Sequence, residues 1–254
     1  MLKNVLVFCA VSLMFVGCGT SYSGNGGGGG GGGNYAGQAQ GVYSGTTSSG
    51  YTFSTIVLPT DKFYAIYGTV SGNTLLLTGL VTGQGTSGNG TYTASVTDFT
   101  HTGAIDSGSI SATYVAATSL NGTLTENGTA ITVNATWEPA SSFNYNTSAS
   151  VSAITGTWTG TLLDGMTTTV TINSNGSVSG ASSGCSFSGT VAADSSNKNF
   201  FDVSLTFGAS PCSLANQTAT GIAVEYLLPD GVTHQLLAGV TAGTSFGTVF
   251  AAVR

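Results

Sequence analysis

The sequence predicts an all-β protein, with two tandem antiparallel β-barrel or β-sandwich domains of about eight strands each after a signal peptide and a disordered Gly-rich tether. Three observations predict this class: apolar and polar residues alternate with a period of two, Gly/Asn/Asp pairs separate the alternating segments, and the two halves of the chain resemble each other.

Only 6% of the residues are charged and the net charge is −6, which argues against a nucleic-acid partner, since that partner requires a basic surface.

Residues 1–17 have the layout of a bacterial signal peptide. Lys3 supplies a positive charge, and the apolar segment 5–16 follows it. This segment is shorter than the roughly 20 apolar residues that a membrane-spanning helix needs. The string Phe15-Val16-Gly17-Cys18 resembles the lipobox of bacterial lipoproteins, which implies cleavage before Cys18 and attachment of lipid to its side chain. A plain secretory signal with an incidental cysteine is the alternative.

Residues 18–40 are predicted to form the lipid-anchored tether, and they include eight consecutive glycines at 26–33. Gly-rich chains are flexible coils of about 5–6 Å × √n, so the segment up to residue 34 should reach roughly 20–24 Å. A phosphate-binding loop is the other use of such glycines, but that loop requires a strand before it and a helix after it.

The lipobox and poly-Gly stretch of residues 1–34 resemble the surface lipoproteins of the transferrin-binding and factor H-binding group. Many lipoproteins held at the inner membrane carry Asp after the lipid-bearing cysteine, whereas this chain has Gly19. The resemblance therefore implies an outer-membrane lipoprotein, anchored by its N-terminal lipid on the surface or the periplasmic face. No partner-binding residue of that group can be transferred to this chain.

An internal repeat relates the two halves with an offset of 115 residues. Residues 41–46 (GVYSGT) and 156–161 (GTWTGT) both read G-x-aromatic-[S/T]-G-T. The offset predicts a first β domain at 41–139, a linker at 140–155 and a second β domain at 156–254. Closed barrels are favoured over open sandwiches because almost no Lys is present to protect edge strands.

Strands and turns can be recognised within each half. The segment FFDVSLTF places Phe201, Val203, Leu205 and Phe207 on one face, as expected of a strand with one buried side. Pairs that tolerate positive φ predict tight turns between strands. These pairs are Gly72-Asn73, Asn89-Gly90, Asn127-Gly128, Asn175-Gly176 and Asp230-Gly231.

Four cysteines are present, and each has a predicted fate. Cys9 leaves with the signal peptide and Cys18 takes lipid, so Cys185 and Cys212 remain as a pair. Outside the cytoplasm two such cysteines most simply form a disulfide. We expect this bond to close the open end of a hairpin in the second domain. Metal binding would need further ligands nearby, and redox chemistry would favour a C-x-x-C spacing.

No catalytic set is recognisable, and neither a cofactor nor a metal is expected. His101 lies near Asp98 and Asp106, but serines are so abundant that a Ser-His-Asp set is no signal, and no G-x-S-x-G turn is present. His101 is expected in a solvated turn and His234 at a strand end. Most acidic residues are interpreted as turn residues: Asp61, Asp164 and Asp230.

Aromatic residues give a better indication of binding. The segment FYAIY at 63–67 puts rings on both faces of one strand. One set would fill the interior of the domain, and the other could bind glycan or protein or pack against the second domain.

Two functions from different classes follow. The first is a lipid-anchored, non-enzymatic binding or structural module at the outer membrane. The alternative is a lipocalin-like carrier of a small apolar ligand, with one barrel hollow. Small inward residues such as Ala94 and Ala112 would leave room for a ligand, whereas Trp137, Phe201 and Phe207 would fill the interior.

Overall fold

Two closed antiparallel barrels account for the strands of the computed structural model, which describes residues 38–71, 74–228 and 230–254. This confirms the all-β fold class and decides for barrels over sandwiches. Each strand pairs with the next along the chain, and the last strand of each barrel pairs with its first. Closing a sheet in this way removes its edges, which explains how the strands dispense with protective lysines.

The first barrel contains eight strands within the described residues. These are β1 (Gly41–Thr47), β2 (Thr52–Val57), β3 (Lys62–Ser71), β4 (Thr74–Gly88), β5 (Thr91–Thr100), β6 (Ile105–Val115), β7 (Ser119–Glu126) and β8 (Thr129–Trp137). A short helix, α1 (Val151–Ile154), precedes the second barrel. In the part of the chain that the structure describes, no helix is long and apolar enough to cross a bilayer.

The second barrel repeats the arrangement of the first. Its strands in the described part of the chain are β9 (Gly156–Leu162), β10 (Thr167–Ile172), β11 (Ser177–Ser182), β12 (Cys185–Ala193), β13 (Phe201–Phe207), β14 (Thr218–Leu227), β15 (His234–Ala242) and β16 (Phe246–Val253). Asn-Gly pairs 89–90 and 127–128 have positive φ at both residues, as tight hairpins require. The pair 72–73 lies outside the described residues.

The repeated G-x-aromatic motif has the same structural role in both barrels. Tyr43 in β1 donates its hydroxyl to the carbonyl of Ala39 over 3.0 Å, and Trp158 in β9 donates Nε1 to the carbonyl of Ile154 over 2.8 Å. Both rings are fully buried. The motif's glycine is needed because Gly41 has φ of 145° and a Cβ there would lie 1.8 Å from the Trp137 ring. The motif thus anchors the chain that enters each barrel.

The first described residues already contact the first barrel. Gln38 and Ala39 lie within residues 18–40, which are predicted to form the tether, and both pack on this barrel. The backbone nitrogens of both residues donate to the hydroxyl of Ser87, and Ala39 is fully buried. These contacts place residues 38 and 39 on the first barrel, and the bounds of the tether stay a prediction.

A large apolar interface joins the outer faces of the two barrels. Leu80 is fully buried in this interface, and Tyr64 and Phe99 also contribute from the first barrel. From the second barrel it includes Leu163, Phe200, Ile222, Val224, Leu237, Val249 and Ala251. Of the FYAIY segment, Tyr64 and Ile66 face this interface, so the outward ring packs against the second barrel, one of the two outcomes that the sequence allowed.

The segment between the barrels is more than a polar linker. Phe143 and Tyr145 are 4% and 2% exposed and belong to the inter-barrel core. The Tyr145 hydroxyl donates to the carbonyl of Val57 over 3.2 Å, and the Phe143 ring lies 4.7 Å from that of Tyr226. The polar composition of 140–155 conceals these two anchors, which fasten the segment to both barrels.

Cys185 and Cys212 are joined by a disulfide, with their Cα atoms 4.6 Å apart. Cys185 begins β12, and Cys212 lies in the loop after β13. Because β12 and β13 pair from Phe187↔Phe207 to Ala193↔Phe201, the bond lies at the open end of their hairpin. It also fastens the β13–β14 loop to the barrel.

Candidate functional site: two barrel cavities

Each barrel contains a cavity, and the two cavities differ in size and chemistry. The cavity of the second barrel, called here the large cavity, has a volume of about 590 Å³. The cavity of the first barrel, called here the acidic cavity, has a volume of about 130 Å³. Inward-facing residues of nearly all strands line both, as the strict alternation of strand side chains requires.

The large cavity is lined mainly by aliphatic and aromatic side chains. They include Val170, Ile172, Val178, Val191, Val203, Leu205, Phe207, Leu236, Val240 and Phe250. Phe207, which was expected to fill the interior, is one of the residues that line this cavity. Among the lining residues, Thr168 is 1% exposed and its Oγ1 has no hydrogen-bond partner within the described residues. The site is therefore a mainly apolar chamber whose wall carries the buried, unsatisfied hydroxyl of Thr168.

The rim of the large cavity comes from both barrels. Cys185 and Pro211 contribute the disulfide-linked side of the rim. The β5–β6 turn of the first barrel also lines the cavity, through His101, Gly103 and Ala104, together with Phe99. A Cβ at Gly247 would lie 2.3 Å from the Phe99 ring, so the two barrels touch closely here. The mouth of the second barrel is consequently held in place by the inter-barrel interface and by the disulfide.

A layer of buried tyrosines closes one end of the first barrel. Tyr43 donates to the carbonyl of Ala39, the hydroxyl of Tyr92 donates to the carbonyl of Asp61 over 2.7 Å, and Tyr114 donates to Oε1 of Gln38 over 2.9 Å. These rings occupy space that the small inward residues were expected to leave open, since Ala112 lies directly across from Tyr92. The acidic cavity is therefore confined to the other end of the barrel.

Two carboxylates lie at that other end of the first barrel. Asp98, on β5, is 4% exposed and accepts a 2.6 Å hydrogen bond at Oδ2 from the hydroxyl of Tyr67. Glu126, the last residue of β7, lines the same cavity. Asp106 lies directly across from Asp98 in the sheet and accepts a 2.8 Å hydrogen bond from Asn127. Ser49, in the exposed β1–β2 turn, is also a lining residue, so the cavity reaches the surface at this end.

The carboxyl groups affect each other's ionisation. Burial raises the pKa of Asp98 to about 6, the charge of Asp106 adds to the rise, and the hydrogen bond from Tyr67 opposes it. Burial also raises the pKa of Glu126 to about 7, with repulsion from Asp98 and Asp106 adding to the effect. The pKa of Tyr67 is raised by burial and by its hydrogen bond to Asp98. The cavity thus holds acids that take up protons near neutral pH.

Sequence reasoning missed this acidic group because it treated most acids as turn residues. Asp61, Asp164 and Asp230 do lie in turns, and Asp230 accepts hydrogen bonds from the backbone of Val232 and Thr233. Asp98, in contrast, is in phase with the inward residues of β5: Tyr92, Ala94 and Val96. The position of Asp98 in the alternation of β5 was the signal that could have identified it as an inward residue. Glu126 comes close to Asp98 only through the register of the barrel strands.

The two histidines do not form a catalytic set with these acids. His101 is exposed in the β5–β6 turn, and its Nδ1 lies 3.2 Å from the carbonyl oxygen of Thr78. His234 begins β15 and contacts Glu225 through its Nδ1. In the described ranges, no three His, Cys, Asp or Glu side chains are arranged to hold a metal ion. Cys18, the predicted lipid attachment residue, lies outside the described residues.

Comparisons with known proteins give a weak structural likeness. No family model matches the chain, and no curated protein matches it. The structure is similar to that of the isotype 1 transferrin binding protein B from serogroup B Neisseria meningitidis, at 7% identity and a TM-score of 0.27. The match covers 80% of this chain and 65% of that protein's chain, so this chain spans less than two thirds of its neighbour. At that TM-score the likeness supports no inference about ligand or partner.

Proposed function

We propose that this protein is a lipid-anchored, non-enzymatic binding module of the bacterial outer membrane, and that its second barrel carries a small apolar ligand. The observation that supports the ligand class is the large cavity of about 590 Å³. Ligand sites are commonly cavities of about 300–1,000 Å³ with mostly apolar walls and a few polar groups. A structural module without a ligand would gain nothing from leaving so much apolar surface unpacked.

Burial of apolar area would supply the binding energy, at roughly 25 cal/mol per Å² removed from water. Thr168 would give the ligand one polar contact, since its buried hydroxyl has no partner among the described residues. We therefore expect a ligand with an apolar body and at most one or two hydrogen-bonding groups.

Filling the large cavity tests this proposal. Ala238 lines the cavity on β15, whereas Ala192 on β12 is exposed on the outside of the same barrel. We expect Nile red, a neutral dye that fluoresces in apolar surroundings, to bind the wild type. Ala238→Phe should weaken this binding by about tenfold or more. Ala192→Phe, the same substitution on the outer surface, should not change it. Equal binding by all three proteins would contradict a ligand site inside the second barrel.

The anchoring part of the proposal rests on the resemblance of residues 15–18 to a lipobox. Palmitate labelling of growing cells should depend on Cys18, and membrane fractionation should find the labelled protein in the outer membrane. Incorporation of label into a Cys18→Ala variant would contradict the anchor. A labelled protein found in the inner membrane would contradict the location alone.

A further inference from the structure

We propose that the acidic cavity of the first barrel is a second binding site, for a small organic amine whose ammonium group lies against Asp98 and Glu126 while its apolar part fills the cavity. This site is separate from the large cavity and does not depend on the second barrel having a ligand. It is assigned from unsatisfied buried oxygens, from the charges of the chain and from the shape and lining of the cavity.

Two carboxylate oxygens in the acidic cavity have no donor. Oδ1 of Asp98 and Oε1 of Glu126 are buried, and neither has a hydrogen-bond partner within residues 38–71, 74–228 and 230–254. Buried polar atoms in folded proteins are nearly always satisfied, because an unpaired one costs free energy. Ionised carboxylates only accept hydrogen bonds, so what is missing is a donor, and a positively charged donor fits best.

The described part of the chain does not supply that cation. It has four Lys and Arg residues, and Lys3 lies in the predicted signal peptide. The other three are engaged elsewhere: Lys62 lies 4.9 Å from the Tyr64 ring centre, Lys198 5.3 Å from that of Tyr145, and Arg254 4.0 Å from that of Trp158. None of these three lines the acidic cavity. No Lys or Arg of the described residues is therefore a counter-ion for the ionised carboxylates, and we assign that role to a bound ligand.

An organic cation suits the cavity better than a metal ion. Beyond its acidic end the wall is apolar, with Phe53, Val57, Phe63, Leu124, Ile131 and Val133 among the lining residues. An apolar cavity of about 150 Å³ can hold benzene, so about 130 Å³ accommodates a group close to the size of one ring. The carboxylates lack the arrangement that a metal needs, as far as the described residues go.

Aromatic rings beside the carboxylates would add to the recognition of an ammonium group. Tyr51 and Tyr67 both line the cavity, and their ring centres lie 5.2 Å apart in an edge-to-face arrangement. A cation within about 6 Å of such a ring is attracted by its π electrons. An ammonium group offers three N–H donors, which could be shared between Asp98 and Glu126.

Binding should depend on pH because the carboxylates must be ionised. The titratable groups that surround Asp98 are Tyr67 on β3, Asp106 on β6 and Glu126 on β7, and Tyr51, just before β2, lies beside Tyr67. Protonation of Asp98 and Glu126 removes the charge that attracts the ammonium ion. Affinity should therefore be high at about pH 8 and fall by about tenfold or more at about pH 5, below both raised pKa values.

Three molecules of matched shape test the inference with the full chain at about pH 8. Benzylamine carries a positive charge, benzyl alcohol is neutral and benzoate is negative. In calorimetric titrations, benzylamine should bind, benzyl alcohol should bind about tenfold more weakly or worse, and benzoate should not bind. No binding of benzylamine at millimolar concentration would overturn the inference. Equal affinities for benzylamine and benzyl alcohol would also overturn it, since the cavity would then be merely apolar.

Substitutions locate the site. Asp98→Asn should weaken benzylamine binding by about tenfold. Asp230→Asn, which makes the same change of charge in an exposed turn of the second barrel, should have no effect. Unchanged binding by Asp98→Asn would overturn the inference. If Asp98→Asn does not fold, the pH dependence of wild-type binding decides instead, and an affinity that is equal at about pH 5 and about pH 8 would contradict the site.

The Ala238→Phe variant separates this inference from the proposed function. With the large cavity filled, benzylamine should still bind with wild-type affinity. Loss of benzylamine binding in this variant would place the amine in the second barrel and overturn the inference. That result would leave the proposed carrier function of the large cavity intact.

Discussion

Tyr67 donates its hydroxyl to Oδ2 of Asp98 over 2.6 Å, from one strand of the first barrel to another two strands away. The bond satisfies one oxygen of the carboxylate and leaves the other, Oδ1, without a donor among the described residues. The acid is therefore held in position but is only half satisfied, which makes its charge costly in the free protein.

Replacing Asp98 by Asn should make stability less dependent on pH. The Asp98 carboxyl has an ordinary pKa of 3.8, and burial raises it to about 6 in the folded protein. The unfolded chain loses this proton first, so the free energy of unfolding falls as the pH rises from about 4 to about 6. At about pH 8, Asp98→Asn should be more stable than the wild type by on the order of 1–2 kcal/mol, and the difference should vanish at about pH 4.

Urea unfolding at the two pH values measures this effect. The Asn amide oxygen can still accept from Tyr67, so the variant keeps that contact. A variant that is less stable than the wild type at about pH 8 would show that the charged form of Asp98 is favourable in the folded protein.

Removing the disulfide should destabilise the second barrel. Cys185 and Cys212 are 27 residues apart in sequence, and a crosslink of that span contributes roughly 3–4 kcal/mol in the chain-entropy model. The double variant Cys185→Ser/Cys212→Ser should lose about that much free energy of unfolding in guanidinium chloride. Wild-type protein with a reductant should match the double variant. Equal free energies of unfolding with and without the disulfide would show that the bond does not stabilise the β13–β14 loop on the barrel.

The hydroxyl of Tyr43 should stabilise the folded protein, because the ring is fully buried and the hydroxyl donates to the carbonyl of Ala39. Tyr43→Phe keeps the ring but leaves the carbonyl of Ala39 without its donor. We expect a loss of about 1 kcal/mol in the free energy of unfolding. Tyr51→Phe, at a half-exposed ring, serves as the control and should cost less. A Tyr43→Phe variant as stable as the wild type would indicate that the contacts with Ser87 are enough to hold Gln38 and Ala39 on the barrel.

The inter-barrel segment should contribute to the stability of both barrels. Phe143 is 4% exposed and packs between them, so Phe143→Ala should cost about 3–5 kcal/mol. Ser141→Ala, at an exposed neighbour, should change the free energy of unfolding little.

Calorimetry tests whether the interface couples the two barrels. If it does, the wild type should unfold in a single transition. Two separate transitions, with Phe143→Ala affecting neither, would show that the barrels fold independently.

The sequence predicts what depends on local pattern. Alternation in FFDVSLTF predicts β13, the Asn-Gly pairs predict their hairpins, and the G-x-aromatic motif marks the first strand of each barrel. The pairing of Cys185 with Cys212 follows from counting cysteines. The first three signals each involve only a few neighbouring residues, and the disulfide follows because no other cysteine is left to pair.

What could not be predicted depends on contacts between distant residues. Asp98 and Glu126 meet only because three strands pair in register, and no local signal gives that register. Phe143 and Tyr145 are isolated aromatics in a polar segment, so their burial follows from the inter-barrel interface. Cavity volume is equally non-local, because it depends on which inward side chains meet across the barrel.

The most direct test of the central claim is native mass spectrometry of the protein released gently from its own membranes. The account predicts an added mass on the wild type, from a small apolar molecule in the large cavity. Ala192→Phe should keep this mass and Ala238→Phe should lose it. Wild-type protein that repeatedly carries no added mass, or an added mass that persists in Ala238→Phe, would contradict the claim that the second barrel carries a ligand.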